Sequence, residues 1–113
     1  MAGERRRHVT IMGLEVTDAA SYARYRTGMT PTLEAYGGAF DWDLLVAKVL
    51  KGPRGQRLDR VFAISFPDAA ARDGFFADPL YRAVRAEFFE PAVASVATLA
   101  EFDEGSKHVE PAP

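Results

Sequence analysis

Apolar residues along the chain recur with two different periods, and their succession predicts an ordered series of strands and helices. Residues 8–16 are rich in β-branched and apolar types, which favours a first strand. Thr17 and Asp18 then offer helix-capping side chains, and apolar residues follow at helical spacing. These helical positions are Tyr22, Tyr25, Met29, Leu33 and Tyr36. Gly37 and Gly38 should end the helix, because glycine takes the left-handed C-terminal conformation without steric cost.

Two of the predicted elements leave alternatives open. Pro31 lies inside the helical pattern, so we expect either a kink or a restart of the helix with Thr30 as a second N-cap. Residues 40–51 form the longest extended candidate, and a strand of that length would span about 40 Å. Either a bulge interrupts this strand or its end reaches beyond its own subunit. Simple alternation along it places Asp41 and Asp43 on one face.

The remaining elements complete the order strand, helix, strand, strand, helix, strand. A turn at 52–55 is followed by a strand over 60–66, which should form a hairpin with the preceding strand. A helical region then begins at Pro67 and Asp68, restarts at Asp78 and Pro79 and ends at Pro91. The last strand covers residues 94–102. This order predicts an α+β fold, a ferredoxin-like βαββαβ sandwich with a four-stranded antiparallel sheet. We expect one domain over residues 1–103 and a flexible C-terminal tail over residues 104–113.

The predicted strands are apolar on both faces. Two helices can cover only one face of such a sheet, and the other face should turn polar if it meets water. Alternation instead gives Phe62, Ile64 and Phe66 against Val61, Ala63 and Ser65, and in the last strand Val96, Ala100 and Phe102 against Ala97 and Leu99. Large apolar surfaces are rare on monomers, and two identical sheets can bury theirs across a two-fold axis. We therefore predict a homodimer that forms through the open face of the sheet.

Composition and charge exclude several classes of partner and site. The formal net charge is −2 and the isoelectric point is near 5.6, so no basic field favours nucleic acid. Arg5, Arg6 and Arg7 are interpreted as a solvated arm. The chain has no cysteine, which excludes disulfides and thiolate sites and fits a cytoplasmic location. No segment resembles a signal peptide or a membrane span, so we expect no membrane partner.

Several short motifs resemble those of the domain of unknown function 1330 family. They are Tyr22-Ala23-Arg24-Tyr25-Arg26, Met29-Thr30-Pro31, Tyr36-Gly37-Gly38-Ala39-Phe40, Arg60-Val61-Phe62, Phe66-Pro67 and Phe75-Phe76-Ala77-Asp78-Pro79-Leu80-Tyr81, within a match over roughly residues 9–102. The resemblance implies a dimeric α/β barrel, in a superfamily that also holds cofactor-free monooxygenases and haem-degrading enzymes. It implies no settled activity. Many relatives carry His where this chain has Tyr36, and a phenol does not replace that base near neutral pH.

The residues that those enzymes use are mostly missing here. The superfamily's monooxygenases rely on Asn and Trp, and this chain has no Asn. A haem ligand or a catalytic triad would have to recruit His8 or His108, and no serine lies in a Gly-x-Ser-x-Gly motif. Asp41 and Asp43 could hold a cation, but an exposed position explains them better. Trp42 could line a pocket, although a core position is commoner for such a side chain. We expect no cofactor and no metal.

Aromatic and cationic side chains form the candidate ligand-binding set. Its members are Tyr22, Arg26, Tyr36, Trp42, Tyr81 and Arg85. Each of two helices presents an arginine one turn after a tyrosine, which suits a small anionic or aromatic ligand between helices and sheet. Alternatively, the tyrosines fill the core while the arginines pair with Glu34, Glu87 or Glu90. Two functions remain open: a small-molecule-binding protein or cofactor-independent enzyme with unknown catalytic residues, and a non-catalytic homodimeric scaffold or regulatory protein.

Overall fold

The computed structural model describes residues 6–53 and 55–105, which form one antiparallel sheet with helices packed on one face. The elements are β1 (Arg6–Val16), α1 (Ala19–Ala35), β2 (Ala39–Leu45), β3 (Arg60–Phe66), α2 (Ala69–Ala77), α3 (Pro79–Val84), one π-helical turn (Arg85–Phe89) and β4 (Val93–Gly105). The strand order is β2-β3-β1-β4, with antiparallel pairing throughout. The predicted α+β class and the ferredoxin-like element order are confirmed.

Local capping explains where the helices begin and end. The Asp18 carboxylate accepts a hydrogen bond from the Ser21 amide at 3.1 Å, which satisfies a free donor at the start of α1. At the other end Gly37 adopts φ 75°. The Gly37 amide donates to the Glu34 carbonyl and the Gly38 amide donates to the Leu33 carbonyl, each at 2.9 Å. This pair of bonds is the Schellman arrangement, so the two glycines end α1 as predicted.

Pro31 does not restart α1, which runs without interruption through it. The expected second N-cap is wrong, because the Thr30 hydroxyl donates to the Arg26 carbonyl at 2.6 Å instead of capping a new helix. Met29 and Leu33, which flank the proline, are both buried in the core, while Pro31 itself is exposed. Core packing on either side therefore keeps the segment helical despite the missing amide donor.

The second strand is shorter than predicted and contains a bulge. β2 ends at Leu45, and its pairing with β3 shifts register between Phe40 and Trp42. The partners are Phe40 with Ile64, Trp42 with Ala63 and Asp43 with Phe62. Asp41 is the extra residue of this bulge, so Asp41 and Asp43 do not share a face as simple alternation predicts. Asp43 shares the helix-covered face with Phe40, whereas Trp42 lies on the open face.

The core fills the space between the helices and one face of the sheet. Its buried members from the sheet are Leu14, Phe62, Ile64 and Phe66, and those from the helical layer include Tyr22, Tyr25, Met29, Leu33, Phe75, Tyr81 and Phe89. A register shift in β4 pairs Val96 with Leu14 on this side, so Val96 does not share a face with Ala100 and Phe102 as predicted.

The open face of the sheet is apolar, as the sequence indicated. Trp42 is 66% exposed there, Leu44 47% and Phe102 43%. The interpretation of Trp42 as a core residue is therefore wrong. Among the described residues, no helix is long and apolar enough to cross a membrane.

The ends of the domain differ from the prediction. Arg7 is not part of a solvated arm, because it lies in β1 and contacts the carboxylates of Asp41 at 3.0 Å and Glu104 at 2.5 Å. Arg6 also lies in β1, and Arg5 lies outside the described residues. β4 extends to Gly105, so the first two residues of the predicted tail belong to a strand, and residues 106–113 lie outside the described chain.

Replacing Gly38 with alanine should destabilise the protein. A methyl group at this position would overlap the Leu33 side chain and would come within 2.7 Å of the Phe66 ring, and both of these residues are buried. We expect Gly38→Ala to lower the free energy of unfolding by about 1–3 kcal/mol, measured by urea denaturation. Gly52→Ala is the matched control, because the nearest atom to its added methyl group is 3.4 Å away. Equal denaturation midpoints for the two variants would contradict the packing described here.

Candidate functional site

Three charged side chains, one each from α1, β2 and β3, meet near the edge of the sheet that β2 forms. Arg60 donates from Nε to Oδ1 of Asp43 and from Nη2 to Oδ2, both at 2.9 Å. Arg26 on α1 donates from Nη2 to Oδ2 of the same carboxylate, also at 2.9 Å. All three side chains are partly buried. One carboxylate thus holds two guanidinium groups, one from the helix and one from the sheet.

Aromatic rings fix the orientation of the Arg26 guanidinium. Its Nη1 donates to the Tyr22 hydroxyl at 3.0 Å. Its central carbon lies 3.7 Å from the centroid of the Phe40 ring, close enough for a cation–π contact. Arg60 lies 5.1 Å from the centroid of the Tyr22 ring. Arg26 is therefore held in one position before any ligand arrives.

These contacts also set the protonation states. The hydrogen bond from Arg60 is the main cause that lowers the pKa of Asp43 below its ordinary value of 3.8. Burial raises the pKa of Tyr22 above 10.0, although Arg26 opposes the shift. Near neutral pH the carboxylate is ionised and the phenol keeps its proton. Because the folded-state pKa of Asp43 is depressed, the stability it contributes is present above pH 3.8 and is lost as the pH falls through the folded-state pKa.

A cleft of about 250 Å³ opens beside this charged cluster, between α1 and the sheet. It is lined by Val16, Ala19, Tyr22, Ala23, Arg26 and Arg60. A guanidinium carries five N–H donors. Among the described residues Arg26 donates two hydrogen bonds from its side chain and Arg60 also donates two, so each keeps three N–H groups unshared. The lining of the cleft therefore combines two cationic, donor-rich side chains with apolar ones.

Tyr81 and Arg85 lie in a separate groove on the helical layer. The groove measures about 360 Å³ and is lined by Phe76, Tyr81, Arg82, Arg85, Ala86 and Glu90. The Tyr81 hydroxyl is 2.9 Å from the Tyr25 hydroxyl. Nη1 of Arg85 lies 3.7 Å from the Glu90 carboxylate, a long and exposed contact. Of the alternative partners Glu34, Glu87 and Glu90, the structure places Glu90 beside Arg85, whereas Arg26 pairs with Asp43.

The other two members of the predicted set lie apart from both concavities. The Tyr36 hydroxyl donates to Oδ2 of Asp78 at 2.9 Å, and this hydrogen bond raises the pKa of Tyr36. Asp78 also caps α3 by accepting from the Leu80 amide. Trp42 lies on the opposite face of the sheet. Of the six predicted residues, the structure therefore brings Tyr22 and Arg26 together in one place and Tyr81 and Arg85 in another.

Sequence reasoning missed two residues of the first cluster, Asp43 and Arg60. Asp43 was considered only together with Asp41, as a cation site or, preferably, as exposed carboxylates, and the bulge that separates them has no local sequence signal. Arg60 did carry a usable signal. It is the first residue of β3, which was predicted to form a hairpin with β2, so it should lie opposite the last residues of β2.

Two further features do not add to this site. A larger hollow of about 610 Å³ lies within the β2–β3 connection and is lined only by residues between Val46 and Asp59, none of which belongs to the predicted set. His8 is buried, with its ring nitrogens 2.9 Å from Asp103 and 2.8 Å from Glu101. Both nitrogens already have partners, which leaves neither for a haem or a catalytic serine. No group of three potential metal-ligating residues occurs in the described part of the chain.

Comparisons with known proteins agree on the fold. Residues 9–102 match the family model described as domain of unknown function (DUF1330). The sequence has no match among curated proteins. A protein of unknown function from Rhodopseudomonas palustris has 23% identity and a TM-score of 0.72, over 95% of this chain and 85% of its own.

Two more distant structures share the same fold. A hydroxynitrile lyase from Passiflora edulis has 12% identity and a TM-score of 0.59, over 93% of this chain and 97% of its own. A dimeric ferredoxin-like protein of unknown function from Jannaschia sp. CCS1 has 12% identity and a TM-score of 0.54, over 85% of this chain and 97% of its own. At these identities the likeness concerns the fold alone.

Proposed function

Because the chain belongs to the DUF1330 family, whose name assigns no activity, we propose from its own geometry that it binds a small organic anion in the cleft between α1 and the sheet. One observation carries this proposal. Arg26 and Arg60 are both fixed by a single carboxylate, and both line the same cleft with unshared N–H donors.

The ligand should be a carboxylate or a similar oxyanion. Planar guanidinium groups bind such anions through pairs of parallel hydrogen bonds. The Tyr22 hydroxyl accepts from Arg26 and keeps its own proton, so it can donate to the same ligand. Since Arg26 is held by Tyr22, Asp43 and Phe40, binding orders few additional side-chain rotamers, which favours affinity.

The body of the ligand should be small and apolar. The cleft is slightly smaller than typical drug-sized pockets, which hold about 300–1,000 Å³. Its other lining residues, Val16, Ala19 and Ala23, are apolar. A short aliphatic or single-ring acid fits both properties. The groove at Tyr81 and Arg85 is a weaker candidate, because Glu90 holds Arg85 only loosely and Tyr25 already contacts the Tyr81 hydroxyl.

An enzymatic role without a cofactor would use the same donors. Fixed N–H and O–H groups stabilise negative charge that develops on a substrate oxygen. Asp43 is a poor general base, because its two arginines hold its pKa below the ordinary value. One protein with this fold is a hydroxynitrile lyase, so the fold is compatible with catalysis.

Calorimetric titration with benzoate and with monomethyl succinate tests the anion site. We expect binding to the wild-type protein and a loss of affinity of about tenfold or more for Arg26→Gln, because a charge-assisted hydrogen bond contributes about 1.5–3 kcal/mol. Arg24→Gln is the matched control, since Arg24 is exposed on the same helix and does not line the cleft. The proposal is wrong if the wild type binds neither acid at millimolar concentration, or if Arg26→Gln binds them as the wild type does.

A second candidate function, a homodimeric scaffold or regulatory protein without chemistry, is favoured by the open face of the sheet. Trp42, Leu44 and Phe102 expose apolar surface on that face, and no helix of the described chain covers it. A second copy packed across a two-fold axis would remove this surface from water. One protein of the same fold is described as dimeric, which supports a homodimer here.

A cytoplasmic setting, expected from the lack of cysteine, is part of both candidate functions.

Sedimentation velocity at micromolar concentration tests the homodimer. We expect the wild type to sediment as a dimer and Trp42→Glu as a folded monomer, because burying a carboxylate in an apolar interface is costly. Leu80→Glu is the matched control, since Leu80 is 70% exposed on α3 in the helical layer and should not affect association. The open face is not the interface if the wild type sediments as a monomer, or if Trp42→Glu and Leu80→Glu dissociate to the same extent.

A further inference from the structure

We propose that the cleft selects singly charged small acids over doubly charged ones, because Asp43 offsets one of the two guanidinium charges. This inference rests on the proposed anion site and names its ligand class. The cluster carries two positive charges and one negative charge, and all three groups are linked by hydrogen bonds of 2.9 Å. A single carboxylate on the ligand balances the positive charge that remains within these three groups.

A second negative charge on the ligand would have no free partner in this cluster. Close to the two guanidinium groups it would also lie close to the Asp43 carboxylate, which both of them contact. This position is unfavourable because like charges repel. Unit charges about 6 Å apart at an effective dielectric constant of about 20 interact strongly enough to change affinity tenfold or more.

Asp59 does not replace Asp43 in this role. Its carboxylate oxygens accept from the Val16 amide at 3.0 and 3.2 Å, which ties Asp59 to the C-terminal end of β1. Its electrostatic effect on Arg60 is weaker than that of Asp43. Asp59 adds to the negative potential near the cleft and so acts in the same direction, against dianions.

Asp41 offers a matched control for removing the Asp43 charge. It lies two residues away on the same strand, but the bulge gives it different partners: the Ser65 hydroxyl at 3.0 Å and Arg7 at 3.0 Å. Neither partner lines the cleft. Asp41→Asn and Asp43→Asn therefore change the net charge of the protein equally, and only the second changes the charge beside the two cleft arginines.

The experiment compares succinate with monomethyl succinate, which share a carbon frame and differ by one charge at pH 8. Calorimetric titrations are made on wild type, Asp43→Asn and Asp41→Asn, with thermal unfolding to verify that each variant folds. We expect the wild type and Asp41→Asn to bind the monoester about tenfold or more tightly than the diacid. In Asp43→Asn this preference should disappear or reverse, because both guanidinium charges then face the ligand.

The outcomes separate this inference from the proposed function. If the wild type binds neither compound, the anion site is wrong and the inference falls with it. If the wild type binds both equally, or if Asp43→Asn keeps the wild-type preference, charge selection is overturned while anion binding stands. Should Asp43→Asn fail to fold, the wild type still decides: a preference that shrinks with added salt supports charge selection, and one that is independent of salt overturns it.

Discussion

The carboxylate of Asp43 makes the interaction on which the functional interpretation depends. It holds Arg26 from the helical layer and Arg60 from the sheet, and so joins α1 to the strand edge beside the cleft. Without this carboxylate, two cations would face each other across a partly buried site. With it, both guanidinium groups keep fixed positions and unshared donors. The lining of the cleft therefore includes two cationic side chains in fixed positions.

The bulge in β2 makes this arrangement possible. Strand side chains alternate strictly between faces, so a regular strand would have placed Asp41 and Asp43 on the same side. The extra residue sends Asp43 to the helix-covered face, and Asp41 contacts Ser65 and Arg7 instead. The same shift leaves Trp42 on the open face, where it exposes most of its surface. One irregularity thus separates the candidate ligand site from the candidate dimer surface.

Features set by local chemistry were predictable from the sequence. Asp18, the Gly37 and Gly38 pair, and Asp78 followed by Pro79 act within a few residues of their own positions, and the structure places each where the sequence indicated. The restart considered at Pro31 does not occur, because the burial of Met29 and Leu33 depends on the packed core rather than on neighbouring residues. Arg7 was misjudged for a similar reason, since its partner Glu104 is distant in sequence.

The candidate site was only partly predictable for the same physical reason. Tyr22 and Arg26 are one helical turn apart, so their hydrogen bond follows from local geometry. The contacts of Arg26 and Arg60 with Asp43 depend on strand register, which a bulge changes by one residue without a local signal. Tyr36, Tyr81 and Arg85 shared the residue types of the site, but the fold directs them to Asp78 and to a separate groove.

The most direct measurement of the central interaction is the titration of the Asp43 side chain, followed by the carbon-13 NMR signal of its carboxyl group. The interaction with two arginines predicts a midpoint clearly below the ordinary value of 3.8, and a shift back toward that value in Arg60→Gln, because Arg60 is the main cause of the lowered pKa. A midpoint at or above 3.8 in the wild-type protein would contradict the interaction on which the proposed site depends.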